Sequence, residues 1–121
     1  MIMNDESNVT TREESGCFVV LLTEPRITEG PVLDSVLAVL DEAGRNAATA
    51  RVAIDFQHVE LMSSGVIGGL VRFYRQLAEH GGRVVLCGVR PPVASVLKVT
   101  RLDQLFQLEP DVASGVQWLN R

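Results

Sequence analysis

Two adjacent serines and a glycine, Ser63-Ser64-Gly65, stand where an apolar run ends and an amphipathic one begins. A serine hydroxyl so placed has three uses: it can cap a helix, accept a phosphoryl group, or attack a substrate beside a base. Capping is the commonest use of serine at a helix start, and spacing alone favours it. Phosphorylation is the informative alternative. A phosphoserine carries about -1.5 to -2 charges at pH 7. The free N–H groups and dipole of a helix N-terminus tolerate that charge, so the fold should survive it. A protein packed against the same spot would meet bulk and uncompensated charge. Gly65, with no side chain, would let such a protein approach closely.

Nucleophilic catalysis needs a base within hydrogen-bond reach and a group to orient it. His58 lies in the adjoining loop, but no Gly-x-Ser-x-Gly elbow surrounds the serines. His80, beside Gly81, suits a helix C-terminus. The residues therefore read as a non-enzyme. Cys17 and Cys87 each sit inside an apolar run without a CxxC or Cys/His companion, and read as buried free thiols. No metal site and no cofactor is expected, and no glycine-rich loop with lysine suggests nucleotide binding. The net charge of -4 argues against a nucleic-acid surface. No stretch approaches the ~20 apolar residues that span a bilayer, so no membrane insertion is expected.

Hydrophobic residues make up 46% of 121 residues, enough for one domain with its own core. Residues 1 to 7 read as a flexible tail and 8 to 121 as the domain. Residues 8 to 13 suit a short edge strand, Glu14-Ser15-Gly16 a turn, and 17 to 22 a buried strand. Pro31 suits the first turn of a helix bearing Val32, Leu33, Val36, Leu37 and Leu40, which Gly44 should end. Residues 51 to 56 and 83 to 87 read as buried strands. Between them, residues 64 to 79 carry Val66, Leu70, Phe73 and Leu77 on one helical stripe, stopped by Gly81-Gly82. Arg72 and Arg75 fall on the opposite, solvated face. Pro91-Pro92 opens a short helix with Val93, Val96 and Leu97. Residues 105 to 108 suit a last strand, and Asp111 caps a helix with Val112, Val116 and Leu119. The order ββαβαβαβα implies an α/β fold with a mostly parallel sheet and one antiparallel edge strand. Ser63 then lies beyond the carboxyl ends of the strands, where sites collect in such sheets.

The stretch from Arg51 to Phe106 resembles a STAS domain, most closely the bacterial anti-sigma factor antagonists, and the likeness extends over residues 8 to 120. Asp55 closes the central strand, Ser63-Ser64-Gly65 matches the family's Ser-Ser-Gly, and Gly81-Gly82-Arg83 precedes the next strand. Thr100-Arg101-Leu102-Asp103-Gln104-Leu105-Phe106 resembles the family's Thr-Gly-Leu-Asp-x-Leu-Phe. The resemblance implies a partner switch. The unphosphorylated antagonist binds an anti-sigma factor that is also a serine kinase, and the sigma factor is released. The kinase phosphorylates Ser63, with Ser64 the second choice, and a serine phosphatase reverses this. Met62, Ser63, Ser64, Gly65, Thr28 and Arg72 are the expected partner-binding residues. A monomer or weak dimer in a bacterial-type cytoplasm is the simplest setting.

Two positions depart from the pattern. Met62 replaces the aspartate of Asp-Ser-Ser-Gly, and Pro25-Arg26-Ile27-Thr28 replaces Gly-x-Leu-Asp, so two acids expected near the serine are missing. The competing reading is a non-switching STAS scaffold or accessory subunit of a signalling assembly or transporter ATPase.

Overall fold

The hairpin that opens the fold turns on two residues with positive φ, Ser15 (52°) and Gly16 (82°). That handedness matches the twist of the strands it joins, β1 (Val9–Glu14) and β2 (Cys17–Leu22). They pair antiparallel from Val9↔Leu22 to Glu14↔Cys17. The structure is a computed structural model that describes residues 8–46 and 50–121. The expected tail, residues 1 to 7, lies outside the described residues.

The chain continues through β3 (Arg26–Ile27), α1 (Pro31–Arg45), β4 (Arg51–Asp55), β5 (Leu61–Met62) and α2 (Ser64–Glu79). It ends with β6 (Arg83–Cys87), α3 (Pro91–Val99), a 3-10 turn (Leu102–Gln104), β7 (Gln107–Glu109) and α4 (Val112–Leu119). The main sheet has the order β1-β2-β4-β6-β7, and every pair after the first is parallel. This is the expected α/β architecture.

Alternation along the strands feeds two cores. Val20, Leu22, Val52, Ile54, Val84 and Leu86 meet the apolar stripes of α1, α2 and α3. Cys17, Val19, Ala53, Val85 and Cys87 meet α4 through Val116 and Leu119. Helices on both faces explain why the central strands read as unbroken apolar runs.

Two expected boundaries move for packing reasons. Helix α1 runs past Gly44 to Arg45, and Gly44 is buried. A Cβ at Gly44 would run into the Gln76 amide of α2, so this glycine sets a close helix–helix approach rather than ending the helix. The last strand begins at Gln107, not at 105. Phe106 instead closes a tight turn, its N–H donating to Leu102 O at 2.9 Å. Its ring enters the core and meets Tyr74 edge-on at 5.5 Å.

Candidate functional site

Strands β3 and β5 form a separate two-stranded parallel pair, Arg26↔Leu61 and Ile27↔Met62. Neither was expected, because two residues carry no periodicity to read. Together they stitch the loop before α1 to the loop before α2. Pro25 O accepts from the N–H groups of both Glu60 (2.7 Å) and Leu61 (3.0 Å), and Ile27 O accepts from Ser63 N–H (2.9 Å). Ile27 and Met62 anchor the pair in the core at 0% and 7% exposure. Met62, expected to face a partner, is thus a core side chain. The pleat turns it inward between outward-facing Leu61 and half-exposed Ser63.

Ser63 is the N-cap residue of α2, with extended φ and ψ of -84° and 170°. Its side chain makes no capping hydrogen bond. The hydroxyl instead leans away from its own helix and donates a long bond to Glu29 Oε1 at 3.5 Å. Nothing in the sequence singles out Glu29, because Thr28, not Glu29, stands at the position of the family's aspartate. A carboxylate one residue later reaches the serine. Thr28 itself is exposed at the rim, and Ser64 is exposed as the first helical residue. A Cβ on Gly65 would come within 2.6 Å of Leu33 Cδ2 and 3.3 Å of Glu29 Oε1. The glycine therefore lets the first turn of α2 lie against α1 and Glu29.

The first turn of α2 carries no acidic residue, so its N-terminal dipole is unopposed by its own helix. On the neighbouring β5 loop, Glu60 is held by Arg90 at 3.5 Å. Glu29 is the acid that a phosphate on Ser63 would meet first.

The model of the STAS domain family matches residues 8–115. The chain is a STAS domain. An anti-sigma F factor antagonist from Paenibacillus polymyxa is 24% identical over 75 residues, a match that spans 62% of this chain and 64% of that relative. The solved anti-sigma-factor antagonist (STAS) domain protein of Planctomyces limnophilus superposes with a TM-score of 0.81 at 24% identity, covering 92% of this chain and 96% of that one. The Bacillus cell fate determinant SpoIIAA in its phosphorylated form gives a TM-score of 0.72 at 15% identity, covering 90% and 96%. At these identities the likeness concerns the fold.

Other chemistry-bearing residues of this STAS domain are placed apart from Ser63. Arg72 reaches across to Asp41 of α1 at 3.3 Å, and that exposed pair contributes at most about 1 kcal/mol. By the helix rise it lies about 13 Å beyond Ser63. His58 is exposed in the loop, and no hydrogen bond among the described residues joins it to Ser63 or Ser64. Both cysteines are free and buried, as expected. Burial pushes the Cys87 thiol up to about 12, with the charges of Asp55, Glu109 and Asp111 adding to it. Burial raises the Cys17 thiol too. Asp55 is buried at 3% exposure. Its carboxylate accepts from the Gln57 backbone N–H (3.0 Å) and side-chain amide (2.6 Å), closing the strand with a local turn. Among the described residues no cluster of three His, Cys, Asp or Glu could hold a metal. No helix among them is long and apolar enough to cross a membrane.

Proposed function

We propose that this STAS domain is an anti-sigma factor antagonist whose binding is switched at Ser63. Unmodified, it binds an anti-sigma factor serine kinase, and the sigma factor is released. The kinase then moves the γ-phosphoryl group of ATP to Ser63 Oγ, and the complex separates. A serine phosphatase resets the switch. The domain is a substrate in both covalent steps and catalyses neither.

The observation that carries this reading is a hydroxyl at the start of α2 that makes no cap bond and only a long one to Glu29. Ser63 occupies the cap position, yet its side chain is not spent on the cap. Modifying it removes no bond that holds the helix. Phosphate there sits on a dipole that favours it, so the fold is retained. On the partner side the same charge is desolvated without compensation, which weakens association. Partial exposure of Ser63 and exposure of Ser64, Thr28 and Leu61, the last at 45%, support a protein contact at this edge. The anti-sigma F factor antagonist among the relatives, and a fold neighbour solved in phosphorylated form, support the same reading.

The test is incubation with ATP and the anti-sigma factor kinases of the source genome, scored by intact mass and peptide mapping. One phosphate on Ser63, absent from Ser63→Ala, is expected. Stoichiometric labelling of Ser63→Ala would move the site. A phosphorylated chain that binds the kinase as tightly as the unmodified one would overturn the switch.

A further inference from the structure

We infer that the turn between α3 and β7 is a second docking surface, one that takes an acidic, partly apolar segment of another protein. It lies at the opposite end of the sheet from Ser63. Helix α3 starts just beyond the carboxyl end of β6 and runs back to the start of the parallel strand β7. Residues 98 to 106 are therefore at the amino-terminal edge.

The turn is built around a misfit. Arg101 has φ and ψ of 63° and 18°, the left-handed region, just past the end of α3. Helices commonly end on such a residue, and it is usually glycine, which adopts the conformation free of strain. Here an arginine adopts that conformation against the backbone preference, and its side chain is exposed. The helix end does not need it. Thr100 Oγ1 donates to Val96 O (2.8 Å) and Leu97 O (3.2 Å), and Lys98 already places a cation in the last turn of the helix.

Its neighbours point the same way. Lys98 is the chain's single lysine. Among the described residues neither Lys98 nor Arg101 forms an ion pair, so both charges stay available at this turn. Between the two unpaired cations stands Val99, 83% exposed, with Leu105 a further 37% exposed nearby on the turn. Asp103, also exposed, is the acid of the same turn. Two cations against the single acid Asp103 leave the turn locally positive around exposed Val99, which complements carboxylates flanking an apolar residue. The surface is independent of Ser63, so it can be occupied in either state of the switch.

The single lysine makes the test specific. The full chain is titrated with N-acetyl Glu-Glu-Leu-Glu-Glu amide at low salt, followed by backbone amide shifts. A carbodiimide then joins bound carboxylates to amines, and the adduct is mapped. Shifts confined to 98–106 and an amide to Lys98 are expected. R101G should weaken binding roughly tenfold, the scale of an interface arginine, while its melting temperature stays level or rises by a few degrees because glycine suits that backbone. The Gln-for-Glu peptide should not bind. Absence of binding, an adduct only at the N-terminal amine, or R101G binding as well as the parent chain would each overturn the proposal.

Discussion

Helices α2 and α4 begin in opposite ways. At α4 the cap is closed: Asp111 accepts from Ser114 N–H at 2.8 Å, and this bond holds its carboxyl below the ordinary carboxylate range. At α2 the cap residue has a suitable oxygen and does not use it, turning it toward Glu29 instead. One helix start is committed to stability. The other has a hydroxyl that the helix does not use, which is what the proposed switch requires. A polar residue at a helix start is thus not informative by type; what matters is where its oxygen goes.

The comparison breaks most visibly on binding. Ser63→Glu should fold normally and lose roughly 100-fold in affinity for the kinase, as expected for an unpaired charge in a packed interface. Calorimetric titration measures it, and an unchanged dissociation constant would remove α2's distinctive role. Next in size is Gly115→Ala in α4. Its Cβ would run into Cys87 Sγ and approach Val85 Cγ1 at 3.1 Å, an overpacking that costs about 1–3 kcal/mol in chemical denaturation.

Asp111→Ala should lower the melting temperature by a few degrees at neutral pH. Because the folded carboxyl titrates lower than the unfolded one, its contribution is complete above about pH 4 and fades as pH falls through the folded value. The gap between parent and variant should therefore close in acid; a gap constant from pH 7 to 2 would mean that the carboxylate is not the cause. The smallest effect is Ser63→Ala, within roughly 0.5 kcal/mol of the parent stability, since no cap bond is lost. A loss as large as that of Asp111→Ala would make the two helix starts alike.

Long elements were legible in the sequence for physical reasons. Helix α2 spans the residues 64 to 79 that the sequence predicts, because a four-residue stripe and a double glycine leave little freedom. Strands β2 and β6 were equally clear as apolar runs. The site was legible only in part. Ser63 stood out by type and by place. Its acidic neighbour Glu29 did not, because contact across 34 positions depends on the β3–β5 pair, and two-residue strands leave no pattern. Met62 failed for the same reason: only the pairing reveals which way it faces. Gly44 is ambiguous in the sequence because a buried close approach and a helix end favour the same residue.

The β3–β5 pair also fixes what can be transplanted. Residues 25 to 29 and 60 to 65 share carbonyls and a register, so neither segment carries the serine's surroundings alone. A chimera that moves one segment into another member of the fold would deliver the serine without its acid, or the acid without its serine. A single-residue insertion would exchange inward and outward places on its own strand, those of Met62 and Ser63 in the second segment or of Ile27 and Thr28 in the first. Segment length here shapes the serine's surroundings as much as residue identity does, and lineages that keep the serine but change that length would have to rebuild the other segment in step.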